Sequence, residues 1–181
     1  GSVWKPGGPQ AIVDPEWALT KGLVPIRDVV QGPNSARLQD DAVRLDSDAK
    51  KIDLASGKTL EYDYCVLAVG AQNASPCDPP PECTSLAALR AHYGSVNLAI
   101  RRASRVVVVG GGAVGIEVAG KVREVARAGA SITVVHSGQR PLDMSLPGAA
   151  PKPFAAFQER IMRLCAEANI ELVLSARCTN L

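Results

Sequence analysis

No apolar run in this 181-residue chain approaches the length of a membrane span, and no signal-peptide pattern opens it, so neither a transmembrane helix nor a secretory leader is expected. Net charge is also scarce. Twenty Lys and Arg against 18 Asp and Glu leave +2, too little to expect nucleic acid or an acidic membrane surface as a partner. The densest basic group, Arg101, Arg102 and Arg105, falls where a helix should end and its dipole favours cations. No C-x-x-C occurs, and the five cysteines, Cys65, Cys77, Cys83, Cys165 and Cys178, are irregularly spaced. Reduced thiols in a cytoplasmic compartment are expected rather than a disulfide framework. Cys77 and Cys83 lie in SPCDPPPEC, a proline-rich connector in which pairing depends on geometry. No metal site is expected. The opening GSVWKPGGPQAIVDPEWALTKGLVPIRDVVQG shows no sustained period, and no helix longer than about two turns is expected between Pro15 and Pro25. It reads as a segment on the surface of something larger.

What the chain does have is an ordinary globular composition, 46% hydrophobic and 21% charged, and one stretch that organises the rest: RVVVVGGGAVGIE, Arg105 to Glu117. The valines Val106 to Val109 show no polar alternation and read as a strand buried on both faces of a parallel sheet. A glycine turn follows at once. Gly110 permits the tight turn, Gly112 lets backbone approach a pyrophosphate, and Gly115 allows the next helix to pack close to the strand. The pyrophosphate would meet the free N–H groups and positive dipole end of that helix. Gly110, Gly111, Gly112, Ala113, Val114 and Gly115 are thus the expected phosphate-binding set.

Glycine turns also occur as structure alone, and context separates the two readings. A helix is expected from Ala113 to about Ala128, with Val114, Val118, Val122 and Val125 on one face. Gly129 stops it, and Ser131 to Val135 reads as the next strand, completing a βαβ unit as dinucleotide binding requires. Before this unit, AVRLD, KKIDL and TLEY alternate with period two around the Ser56-Gly57 turn and predict an antiparallel meander. YCVLAV, Tyr64 to Val69, predicts a further buried strand ending in Gly70-Ala71-Gln72, although nothing before it can cover that strand. A helix capped by Thr84 or Ser85 carries Leu86, Leu89, Tyr93, Val96 and Ile100 on one stripe. Ala155 to Ala168 predicts another, packed through Phe154, Phe157, Ile161, Leu164 and Ala168, stopped by Asn169 and followed by a strand at Glu171 to Leu174.

This order of parts, with LEYDYCVLAVGA, RVVVVGGGAVGIEVAG and SITVVHSGQRPL, resembles the two-dinucleotide flavoproteins of the pyridine-nucleotide disulfide oxidoreductase superfamily. Val134-Val135-His136-Ser137, Leu174-Ser175-Ala176-Arg177 and Thr179-Asn180-Leu181 resemble its branch without a disulfide, the apoptosis-inducing-factor-like, ferroptosis-suppressor type NAD(P)H quinone oxidoreductases. The resemblance implies an α/β fold: a Rossmann-like NAD(P)H-binding domain at 84–181, preceded at 1–83 by the meander and part of a nested FAD-binding domain. It implies that the family's N-terminal FAD-binding motif and C-terminal Gly-Asp motif are not in this sequence.

Site residues follow from the same resemblance. Ala68-Val69-Gly70 is similar to an Ala-Thr-Gly motif near the flavin nucleotide, with Val69 in place of threonine. Glu117 is similar to a helix glutamate near the nicotinamide, although a first-turn acid favoured by the dipole accounts for it equally. His136 stands 21 residues after Gly115, where NAD-specific folds usually carry an acid for the ribose 2′-OH. His136, Ser137 and Arg140 can instead donate to a 2′-phosphate, so NADPH is expected to be accepted alongside NADH; ordinary loop residues are the alternative. His92 is expected at the surface, and no residue reads as a general acid or base. The implied function is hydride transfer from NAD(P)H to FAD and electron delivery to a quinone-type acceptor, with membrane attachment, if any, through termini outside this sequence. The alternative is a non-enzymatic NAD(P)H-binding module.

Overall fold

The computed structural model describes residues 2–4, 8–29, 31–70, 76–143 and 151–179. In chain order the elements are β1 (Ser2–Trp4), α1 (Gly8–Ala11), α2 (Pro15–Thr20), β2 (Leu23–Pro25), α3 (Ile26–Val29), β3 (Ala42–Asp46), β4 (Lys51–Leu54), β5 (Thr59–Glu61), α4 (Leu86–Arg102), β6 (Arg105–Val109), α5 (Ala113–Val125), β7 (Ser131–Val135), α6 (Pro151–Glu167) and β8 (Ile170–Val173). Packing divides them into two compact units, Gly1–Val3 with Val24–Gln72, and Trp4–Leu23 with Asn73–Leu181. Among the described residues no helix is long and apolar enough to cross a membrane.

The first unit is built on the expected meander, β3-β4-β5, antiparallel throughout. Gly57 turns the β4–β5 hairpin at φ +83°, a conformation that costs a glycine nothing. Charges cover the strands: Arg44 reaches Asp46 at 3.0 Å and Lys51 reaches Glu61 at 3.3 Å. The strand expected at Tyr64 to Val69 does not form. Tyr64 is 95% exposed and Val69 93%, and no strand is assigned there. Backbone N–H and C=O groups need a ladder partner to make a strand, and this segment has none among the described residues. Ala71 and Gln72 lie outside the described residues.

The second unit is a three-stranded parallel sheet in the order β6-β7-β8, with Val106 opposite Ile132 and Ile132 opposite Ile170. One face carries the core. Val106, Val108, Ile132, Val134 and Ile170 pack with Ala119 and Val122 of α5 and Cys165 of α6. The expectation that β6 is buried on both faces is therefore corrected: Val107 is 60% exposed and Val109 47%. Both crossover helices lie against the Val106–Val108 side, so the alternate valines remain in solvent.

Helix α4 is capped as expected, Ser85 Oγ accepting from Ala88 N–H at 3.1 Å, and buries Leu89, Tyr93 and Ile100. Helix α5 ends at Val125, three residues short of the expected Ala128, because Gly129 makes the following turn at φ +77° rather than the helix stop itself. The face of α6 also differs. Phe154, Phe157 and Leu164 are nearly half exposed, while Gln158 and Cys165 are buried. Two overlapping stripes share Ile161 and Ala168, and the helix turns its smaller residues to the sheet. Asn169 ends α6 at φ +53° as expected, and β8 starts one residue early, at Ile170.

The opening segment corrects its surface assignment. Ala11 and Ile12 are fully buried, and α4 holds the chain there through Asn97 Nδ2, which donates to the Ile12 and Val13 carbonyls at 3.0 and 2.9 Å. Those two bonds satisfy carbonyls that burial removes from water. Leu89→Ala should lower stability by about 2–5 kcal/mol and Ser85→Ala by about 1 kcal/mol, whereas Phe157→Ala should cost roughly 0.5 kcal/mol, as read from urea denaturation midpoints.

Candidate nucleotide site

The site is the junction of β6, the glycine turn and the first turn of α5. Gly110 leaves the strand at φ +109°, and its N–H donates to the Val135 carbonyl at 2.8 Å. A side chain at Gly115 would overlap the Gly110 carbonyl oxygen, so the helix sits as close to the turn as backbone allows. Around Gly112 there is open space: apart from the adjoining backbone, no atom comes within 4 Å of where a Cβ would stand. Gly112 is also the N-cap of α5 and supplies no side chain to cap it. An α-helix leaves its first N–H groups without intrahelical partners, and at this terminus no side chain caps them. Ala113 and Val114 begin the helix and are exposed, Val114 at 61%, so Val114 leaves the core stripe expected for it.

The loop after β7 braces this turn. Gly111 is buried, and both of its backbone groups are occupied: its N–H donates to His136 Nδ1 at 3.1 Å, and its carbonyl accepts from Leu142 N–H at 2.7 Å. Leu142 adopts φ +59° to make that bond and is itself buried. Gln158 Nε2 of α6 then donates to the Pro141 carbonyl at 3.0 Å. His136 does not stand as the sequence implied. Its Nδ1 is committed to Gly111 and its Nε2 is buried without a partner, so neither ring nitrogen is presented outward to a 2′-phosphate. Ser137 is exposed, and Arg140 is half exposed with Glu159 Oε1 at 3.8 Å, a loose pair that leaves the guanidinium available.

Glu117 lies in the second turn of α5, not the first, which weakens a purely dipolar explanation for it. It is exposed, and its charge is felt at Cys77 in the connector. Burial, then Asp78, then Glu117 push the Cys77 thiol above its ordinary range. Tyr93 donates to the Cys77 carbonyl at 2.9 Å, and burial raises its phenol well above the usual value. His92, expected at the surface, is partly buried and lies 3.3 Å from the Pro76 carbonyl. Ala68 and Gly70 lie on the exposed segment after the meander, Gly70 at φ +75°. All five cysteines are free, and among the described residues no cluster of His, Cys, Asp and Glu is placed to hold a metal.

These features meet in one known family, the pyridine nucleotide-disulphide oxidoreductases, whose family model matches residues 16–181. The chain belongs to that family. It is 30% identical over 139 residues to apoptosis-inducing factor homolog A of Dictyostelium discoideum, covering 72% of this chain and 32% of that protein. Homolog B of the same organism is 25% identical over 178 residues, covering 96% of this chain and 43% of the relative. Among solved structures, a ferredoxin reductase of Rhodopseudomonas palustris superposes with a TM-score of 0.50 at 25% identity, over 80% of this chain and 34% of the reductase. The chain thus spans 32% and 43% of the length of these two curated relatives.

FAD and NAD(P)H are the cofactors of this family, and the residues present fit them unequally. The glycine turn fits a dinucleotide pyrophosphate through its uncapped helix end and the room beside Gly112. The segment bearing Ala68 and Gly70 is exposed, and among the described residues no flavin cradle forms around it. Asn97, Gln158 and Leu142 belong to no motif in the sequence. A polar residue beside the apolar stripe of a helix, as at Asn97 and Gln158, was the available signal.

Alkylation with iodoacetamide near pH 8, followed by peptide mass mapping, should modify exposed Cys178 first. Cys77 and Cys165 should react last, because burial raises both thiols and only the thiolate attacks. Gly115→Ala should destabilise the second unit by at least the roughly 1–3 kcal/mol typical of overpacking, seen as a lower thermal midpoint.

Proposed function

We propose that this chain is the nicotinamide-nucleotide-binding part of a flavin-dependent NAD(P)H oxidoreductase that passes electrons to a quinone-type acceptor. In this reading residues 84–181 hold the nucleotide, and 1–83 carry the meander and a remnant of the FAD-binding part. When bound, the cofactors supply the hydride chemistry, and the protein contributes position and electrostatics. The observation that carries the proposal is the uncapped N-terminus of α5 behind Gly110–Gly112. Backbone N–H groups of Gly112, Ala113 and Val114 orient the pyrophosphate, and Gly115 keeps the helix near enough for them to reach it. Ser137 and Arg140 serve the ribose end, where the absence of an acid leaves a 2′-phosphate unopposed. Glu117 stands one turn further along α5, in place to orient the nicotinamide.

A second reading, a nucleotide-binding module without redox activity of its own, is supported by the exposure of the segment from Tyr64 to Val69.

Titration of the purified chain with NADH and with NADPH, with the visible spectrum recorded throughout, tests the proposal. Both nucleotides should bind. Gly112→Ala should weaken binding at least about tenfold, because its methyl group enters the phosphate approach, while leaving the thermal midpoint near that of the unaltered chain. Arg140→Ala should weaken NADPH more than NADH, since it removes a charge-assisted donor. Flavin bands that bleach on adding either nucleotide would make this chain an enzyme by itself; binding without them would favour the module.

A further inference from the structure

The ring of His136 sits against the glycine turn, and its two nitrogens are in contrasting states. Nδ1 lies 3.1 Å from Gly111 N and accepts its N–H, which requires Nδ1 to carry no proton. The neutral ring must then carry its proton on Nε2, an atom buried without a hydrogen-bond partner. Room there is tight: a side chain at Gly138 would stand 2.8 Å from Nε2 and 3.0 Å from Oδ2 of Asp143. The backbone of His136 is also tied down, with its N–H on the Val173 carbonyl at 2.9 Å and Ala176 N–H on its carbonyl at 3.0 Å. A Cβ at Gly111 would stand 2.8 Å from His136 Cγ, so only glycine admits the ring this close.

From these contacts we infer that His136 is a positioning residue for the dinucleotide: it acts through the Gly111 backbone, without touching the ribose, and so supports NADH and NADPH alike. This rests on the dinucleotide reading of the glycine turn. Gly111 is buried, and without His136 its N–H loses its acceptor while Leu142 still holds its carbonyl. A buried donor left unpaired is unfavourable enough that the turn would rotate to recover a partner. Rotation about Gly111 redirects Gly112, whose placement sets where the first N–H groups of α5 point. Gln158 extends the brace by fixing Pro141 at the far end of the same loop, so the turn is held from α6 as well as from β7.

Two substitutions separate this role from direct recognition. In His136→Asn the side-chain amide oxygen takes the place of Nδ1, whereas His136→Leu keeps comparable bulk and offers no acceptor. Binding of NADH and of NADPH to each purified chain is measured by quenching of protein fluorescence. The brace predicts that His136→Leu weakens both nucleotides about tenfold, by the same factor, and that His136→Asn restores both to within about threefold. In the unaltered, nucleotide-free chain, long-range ¹H–¹⁵N correlation of the imidazole should show protonated Nε2 and bare Nδ1. The opposite tautomer, or His136→Leu binding as the unaltered chain does, overturns the brace. Loss confined to NADPH in both variants also overturns it, in favour of direct contact with the 2′-phosphate. Failure of the unaltered chain to bind either nucleotide overturns the dinucleotide reading itself, and this role with it.

Discussion

Helix α5 can rest on the end of β6 only because position 115 has no side chain. Any Cβ there would occupy the Gly110 carbonyl oxygen, and relieving that overlap would push the helix away from the turn. The closeness has three consequences in the second unit. It brings Ala119 and Val122 onto the sheet, where they join Ile132 and Val134 in the core. It sets the bare helix terminus directly behind the turn, so that N–H groups and dipole act at one place. It also leaves the turn too short to satisfy its own backbone, a task that passes to Val135, His136 and Leu142.

The parts that were legible in the sequence are those whose causes are local. The valine run, the Ser85 cap, the Gly57 hairpin and the glycine spacing each specify their own conformation within a few residues. Strand β7 and the start of α5 therefore stand where the pattern puts them. The missed features depend on partners distant in sequence. Whether Val107 is buried is decided by which face receives α5 and α6, and whether Tyr64 to Val69 is a strand is decided by a neighbour to pair with. On α6 the pattern holds two overlapping stripes, and the one that carries the large apolar residues is not the one that packs on the sheet. Cys165 packs as a small hydrophobe, and Gln158 is buried with its amide donating to the Pro141 carbonyl.

The same distinction applies to the site. That Gly110, Gly112 and Gly115 surround a helix terminus follows from their spacing. The orientation of His136 does not, because a residue at the end of β7 can point outward to a ribose or inward to the turn with equal ease. The inward orientation needs Gly111 to be glycine, so the middle residue of G-x-G has its own steric reason here. Family membership gives NAD(P)H among the cofactors, and the bare helix terminus behind the glycine turn fits the pyrophosphate of such a dinucleotide.

The most direct test of the account is a map of backbone amide shifts on addition of NADH to the ¹⁵N-labelled chain. The largest and saturable shifts are predicted at Gly112, Ala113 and Val114, with smaller ones at Ser137 and none across the meander strands. Shifts centred away from the first turn of α5, or none at all, would contradict the claim that this helix terminus receives the pyrophosphate.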